Sequence, residues 1–177
     1  VNYYGTLDSC YATGQVNGHE AAPIVNHGRM FVATPGQQVI ALEAATGRVL
    51  WRYRHTLPAG VVLLHPTSRG VALYGDKVFF AAGDAVLIAL NAKTGEEVWT
   101  KNVADNKSGY YMSLAPMVAD GKVIVGASGG ELGIRGFVAA FQAETGEEMW
   151  RAYTVPAPGE PGSETWPKGD QWKNGGG

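Results

Sequence analysis

The sequence is poor in charge, in cysteine and in long apolar runs, and each shortage excludes something. Its one cysteine, Cys10, has no partner for an internal disulfide, so cysteine usage says nothing decisive about compartment. Charged residues make up 17% of the 177 and leave a formal net charge of -2, with Lys and Arg scattered along the chain. No basic stripe could follow a phosphate backbone, which excludes nucleic acid as a partner. No apolar run approaches the ~18 residues of a spanning helix. The opening residues are polar rather than a basic flank with an apolar stretch, so no signal peptide is expected within them, as in a processed secreted chain. Sustained 3.6-residue periodicity is also missing, which argues against helical repeats. What is present is a 45% hydrophobic composition, enough for a globular core.

One pattern occurs three times: Ala41 to Trp51 (ALEAATGRVLW), Ala89 to Trp99 (ALNAKTGEEVW) and Ala140 to Trp150 (AFQAETGEEMW). The tryptophans stand 48 and 51 residues apart, a period that belongs to solenoid or propeller units. Ahead of each motif lie two short β-rich runs split by a glycine: Ile24–Val32 around Gly28, Val71–Phe80 around Gly75, and Met117–Val125 around Gly121. Each predicts a tight hairpin. A third strand follows, for example Val86–Leu90, and the Thr-Gly pair turns the chain into a fourth that ends on the tryptophan. Four antiparallel strands in about 48 residues make a propeller blade, buried on both faces between its neighbours. The fold class is therefore all-β, with about three blades. Residues 1–177 form one partial propeller domain, with blade repeats ending near Trp51, Trp99 and Trp150 and an inter-blade loop over 151–177. A ring needs more blades than three. The chain is thus expected to be a piece of a longer one, with apolar blade faces that promote self-association when left uncovered.

Copies of a repeat reveal function where they differ. The hairpin glycine precedes the motif threonine by 18 residues in the first copy, 19 in the second and 24 in the third. The extra residues fall within Ala127–Gly136, where Gly129, Gly130, Gly133 and Gly136 expose backbone NH groups to a flat ligand and Glu131 offers a hard oxygen to Ca²⁺ or a similar cation. A longer surface turn carrying one solvated glutamate is the plain alternative. The other departure is the long link from His55 to Arg69. Arg69 could pair with an anionic ligand or could cap carbonyls at the blade junction. His65, followed by Pro66, reads as a turn residue.

Four loop segments carry a specific resemblance: GHEAAP (18–23), SRGVALYGD (68–76), GYYMSLAP (109–116) and SGGELGIRG (128–136). Together with the Thr-Gly…Trp motifs they resemble, in order and along nearly the whole chain, the N-terminal part of the pyrroloquinoline quinone (PQQ)-dependent alcohol dehydrogenases of the methanol/ethanol type. That resemblance implies an eight-bladed propeller binding PQQ near its axis. By motif position Glu20, Arg69, Ser113, Ser128, Gly129 and Gly130 would contact the cofactor, and Glu131 would coordinate Ca²⁺ or a lanthanide. It implies oxidation of a small alcohol to an aldehyde by metal-assisted hydride transfer to the quinone, in the periplasm, with a c-type cytochrome as a candidate electron acceptor. The aspartate base, the remaining metal ligands and a stacking tryptophan are expected beyond Gly177, along with the remaining blades, so this piece alone should be inactive. Where better-known members carry adjacent cysteines, this chain reads Leu63-Leu64, which would cover the cofactor by dispersion and burial.

Two other functions fit the blades: a non-catalytic scaffold for protein partners, and a PQQ-binding protein without turnover. The scaffold gives no reason for Glu20, Arg69, Ser113 and Glu131 to occur together. Cys10 lies in a stretch that fits the family poorly and is expected as a buried or partly exposed free thiol in an edge strand. Trp166 and Trp172 lie in a Pro/Gly-rich loop, where packing of the loop is the expectation and a wall of a substrate funnel the alternative.

Overall fold

The computed structural model describes residues 19–176; Cys10 lies outside them. Among the described residues the regular structure is twelve strands in three four-stranded antiparallel sheets, with four short 3-10 turns and no α-helix. The first sheet is β1 (Ile24–Asn26), β2 (Arg29–Thr34), β3 (Gln38–Glu43) and β4 (Val49–Arg54). The second is β5 (Val71–Tyr74), β6 (Lys77–Ala81), β7 (Val86–Asn91) and β8 (Glu97–Asn102). The third is β9 (Met117–Ala119), β10 (Lys122–Gly126), β11 (Phe137–Gln142) and β12 (Glu148–Tyr153). Each sheet keeps chain order, as a propeller blade does, and β5 lies against both β2 and β9.

The expected hairpins are in place. His27-Gly28 and Asp120-Gly121 take positive φ at both turn positions, the backbone that matches the twist of the flanking strands. The fourth strands, however, do not end on the tryptophan. Each runs three residues further, to Arg54, Asn102 or Tyr153, because the third strand begins three residues before the alanine opposite the tryptophan and still needs partners. The loop after the third blade accordingly starts at 154 rather than 151.

The Thr-Gly motif has a chemistry of its own. The threonine hydroxyl accepts the amide two residues on, at 3.2 Å for Thr46, 3.3 Å for Thr94 and 3.3 Å for Thr145. The glycine amide donates back to the fourth residue before it at 2.8 Å in all three copies. One register shift follows beyond each turn, at Ala41/Leu42, Ala89/Leu90 and Ala140/Phe141, which rotates the outer strand and aims the tryptophan.

Blade two shows why its strands read as continuous apolar runs. Val78, Phe80, Ile88 and Leu90 point to blade one, where they bury Phe31, Ala33, Val39 and Ala41. Phe79, Ala81, Leu87 and Ala89 point the other way, onto Val123, Val125, Phe137 and Ala139 of blade three. The period of two thus serves two cores at once. Each junction is then pegged by a tryptophan. The Trp51 indole NH donates to Ala92 O at 3.2 Å, and that of Trp99 to Ala143 O at 3.0 Å. The receiving glycine of the next Thr-Gly turn is obligatory: a Cβ on Gly95 would stand 2.6 Å from Trp51, and one on Gly146 2.7 Å from Trp99.

Candidate functional site

Alternating strand direction sorts the loops into two ends. The β-hairpins at Gly28, Gly75 and Gly121 and the Thr-Gly turns occupy one end. The entries to β1, β5 and β9 and the loops before β3, β7 and β11 occupy the other. Glu20, Arg69 and Ser113 each precede the first strand of a blade, and Ser128–Glu131 lie in the loop before β11, so every residue singled out from the sequence stands at one end.

They also meet. The Arg69 guanidinium donates through Nη1 to Ser113 Oγ at 2.7 Å and Ser113 O at 3.2 Å, while its Nη2 lies 3.3 Å from Glu20 Oε2. Ser113 Oγ is in turn 3.3 Å from Ser128 Oγ. Four side chains from three blades therefore form one polar chain. Arg69 caps a carbonyl at the junction of blades two and three, the second of the two readings made of it, and half its side chain is exposed. Ser113 is buried, fixed by its backbone contact to the Arg69 amide at 3.1 Å.

The loop before β11 has ten residues, 127–136, where its counterparts have three, 35–37, and four, 82–85. It is tied down by a two-way backbone pairing of Tyr111 with Ser128, at 3.1 and 2.8 Å, and coils into a 3-10 turn over Gly130–Leu132. Gly129 has φ +120, and a Cβ there would stand 2.2 Å from the Gly109 carbonyl oxygen, so only glycine fits. Glu131 opens this turn with an exposed carboxylate, its near neighbour being His65 Nε2 at 3.9 Å. His65 does not form the expected turn. It sits in irregular chain just after a bend at Leu64, with its ring 6.5 Å from that of Tyr111.

Sequence reasoning missed two residues. Asn106 accepts the Val62 amide at 2.8 Å and donates to Val62 O at 2.9 Å and to Tyr110 O at 2.8 Å, clamping the Leu63-Leu64-His65 segment to the loop that carries Ser113. Leu63 rests on Gly83, where a Cβ would come within 2.8 Å of it; Leu64 is 44% exposed. Tyr111 is 2% exposed, and burial followed by the Glu131 carboxylate pushes its phenol up. Its place inside the GYYMSLAP segment was the only signal. The 154–176 loop folds back onto Arg135, whose guanidinium lies 3.8 Å from the Tyr153 ring and 4.8 Å from that of Trp172 and donates to Val155 O at 2.8 Å. Trp166 packs against Gly175, so both tryptophans of this loop serve its own packing.

The donor set suits a flat polyanion: a guanidinium, two hydroxyls and a glycine cradle, with a carboxylate beside them. Among the described residues no three His, Cys, Asp or Glu side chains converge, so a metal at Glu131 would need further ligands. Among the described residues, a concavity of about 420 Å³ lies between Pro58–Val61 and Asn102–Lys107, and another of about 130 Å³ at the opposite end, between Arg29 and Lys93.

Known proteins point the same way. The chain is 42% identical over 177 residues to the quinoprotein alcohol dehydrogenase PedH of Pseudomonas putida, covering 90% of this chain and 29% of that one. Its fold matches the quinohemoprotein alcohol dehydrogenase ADHIIG of Pseudomonas putida HK5 with a TM-score of 0.81 at 38% identity, over 91% of this chain and 25% of that one. A europium-containing methanol dehydrogenase matches with a TM-score of 0.82 at 35% identity, over 93% and 33%. The chain thus spans a quarter to a third of the proteins it resembles. Residues 5–177 match the family described as "PQQ: Glucose/ethanol/alcohol dehydrogenase, beta-propeller domain", and the chain is a member of that family.

Proposed function

We propose that this chain supplies three blades, and the anion-holding side of the cofactor site, to a periplasmic PQQ-dependent dehydrogenase that oxidises a small alcohol to the aldehyde. The observation that carries the reading is the Glu20–Arg69–Ser113–Ser128 chain beside the Gly129-Gly130 cradle and Glu131. When bound, PQQ supplies a two-electron acceptor and the metal, Ca²⁺ or a lanthanide, a Lewis acid.

The residues of this chain bind and orient. Arg69 presents a fixed charged fork to a carboxylate or carbonyl oxygen, held in place by Ser113. Ser113 and Ser128 turn their hydroxyls to acceptors, and the Gly129-Gly130 backbone lets a ring system approach without a side chain between. Glu131 holds the cation. Asn106 and Leu63 fix the strap whose Leu64 is offered as an apolar cover. We assign the aspartate base, the other metal ligands and the remaining blades to sequence outside this chain, and a c-type cytochrome to the role of electron acceptor. The family membership supports this reading, as does the single-ended placement of the site.

The test is dye-linked alcohol oxidation by the intact parent protein reconstituted with PQQ and Ca²⁺ or La³⁺, beside Glu131→Ala. Activity that needs both cofactor and metal and falls by at least about 100-fold in the variant is the expected result. Absence of both activity and PQQ retention overturns the reading in favour of a scaffold, and PQQ retention without turnover in favour of a binding protein. Recovery from the periplasmic fraction of cells checks the location.

A further inference from the structure

Tyr111 is a buried tyrosine with no structural task for its hydroxyl. It is 2% exposed yet belongs to neither hydrophobic cluster, unlike its neighbour Met112, which points into the core between blades two and three. Alternation along this stretch therefore turns Tyr111 away from that core. Tyr110, on its other side, has its hydroxyl engaged with the Arg135 carbonyl at 3.1 Å. The Tyr111 hydroxyl makes no hydrogen bond among the described residues, and it is not sealed off as Thr67 Oγ1 and Trp172 Nε1 are. Buried phenols ordinarily find a partner.

The surroundings say what partner is wanted. The Tyr111 backbone is paired with Ser128, its ring faces His65 at 6.5 Å, and the phenol is close enough to Glu131 and Arg69 to feel both charges. A phenol ordinarily ionises only at about pH 10, so at neutral pH Tyr111 keeps its proton and acts as a donor. An unpartnered donor on the residue whose backbone pairs with Ser128, within the field of a guanidinium and a carboxylate, suits an acceptor oxygen brought in by an occupant.

We propose that the Tyr111 hydroxyl is a further cofactor-binding group, donating a hydrogen bond to a carboxylate or carbonyl oxygen of the quinone cofactor; the proposal rests on the function proposed above. The contrast with a structural hydroxyl is sharp, because Tyr111→Phe keeps the ring against His65 and removes nothing that the protein itself uses.

The experiment uses the full-length protein freed of cofactor, titrated with PQQ alone and followed by quenching of protein fluorescence, with Tyr111→Phe and Arg69→Gln beside the unaltered protein. The expected result is a PQQ affinity about 10- to 100-fold weaker in Tyr111→Phe, the size of one hydrogen bond to a charged group. The melting temperature of the cofactor-free protein should stay within about a degree, because no protein contact is lost. An affinity unchanged within about twofold overturns the assignment while leaving the quinoprotein reading intact, since Arg69→Gln would still weaken binding. A drop of several degrees in the cofactor-free protein makes the hydroxyl structural and also overturns it. If the unaltered protein itself fails to bind PQQ, the quinoprotein reading falls and this assignment falls with it.

Discussion

Trp99 and Trp150 hold the same position in the same motif, opposite Ala89 and Ala140, yet their surroundings differ throughout. Trp99 is partly buried, donates to Ala143 O, lies on Gly146 and meets the Phe79 ring at a centroid distance of 5.7 Å. Trp150 is 42% exposed, on a face it shares with the half-open Val138, and the residue in the place of Phe79 is Ile124. The motif alone therefore does not bury a tryptophan; a following Thr-Gly turn does. Stability in this architecture sits at the junction between units rather than inside each unit.

The largest test of that statement is truncation of the two indoles. Trp99→Ala should cost about 3 kcal/mol in urea unfolding, by loss of the peg and its hydrogen bond, whereas Trp150→Ala should stay within about 0.5 kcal/mol in this chain. Equal losses would break the comparison. If a fourth blade is supplied on the same chain, Trp150→Ala should become as costly as Trp99→Ala.

A smaller effect separates the junctions by pH. Arg151 reaches Val103 O across the second junction at 2.9 Å and donates to Glu148 at 3.0 and 2.7 Å. That hydrogen bonding holds the Glu148 carboxyl below its ordinary 4.5. The folded protein thus binds this proton more weakly than the unfolded chain. Its contribution, up to about 1 kcal/mol for a partly screened pair, is present above pH 4.5 and lost as pH falls through the native value. Urea unfolding of Glu148→Gln at pH 7 and pH 3.5 should show that much less dependence on pH; an unchanged difference would mean the pair contributes nothing.

The smallest effect lies at the end opposite the site. Lys77 is buried between Asp76 at 2.8 Å and Glu144 at 2.6 Å, which ties blade two to blade three. The matching positions at the first junction are Arg29 and Lys93, two cations. Lys93→Glu should add about 0.3 kcal/mol at low salt, vanishing in 1 M NaCl. A loss would show that the two junctions are not equivalent there.

The repeat made the blades legible, because the Thr-Gly turn, the small alanine and the tryptophan all perform local, recurring tasks. It also located the long loop, since a copy with about five extra residues stands out against its siblings. The strand ends were not legible: Arg52 to Arg54 look like the start of a loop and are strand only because Gln38 to Ile40 await partners. Asn106 was invisible for a similar reason. Its two bonds to Val62 span 44 residues and obey no spacing rule. Glu20, Arg69, Ser113 and Ser128 were legible as candidates through family motifs, but their mutual contacts were not, because they join segments far apart in sequence. Tyr111 fell inside one of those motifs, but what distinguishes it is an unused hydroxyl, which only three-dimensional contacts expose.

Every indole peg points forward along the chain, and this gives synthesis a direction. Trp51 finds its acceptor 41 residues later and Trp99 44 residues later. At about 5–20 residues per second, each newly made blade waits some 2–9 s for the turn that will cover its tryptophan. Throughout that interval the most recent blade carries an uncovered indole. A nascent propeller of this kind thus carries a moving apolar face toward its growing end, where a holding chaperone could act.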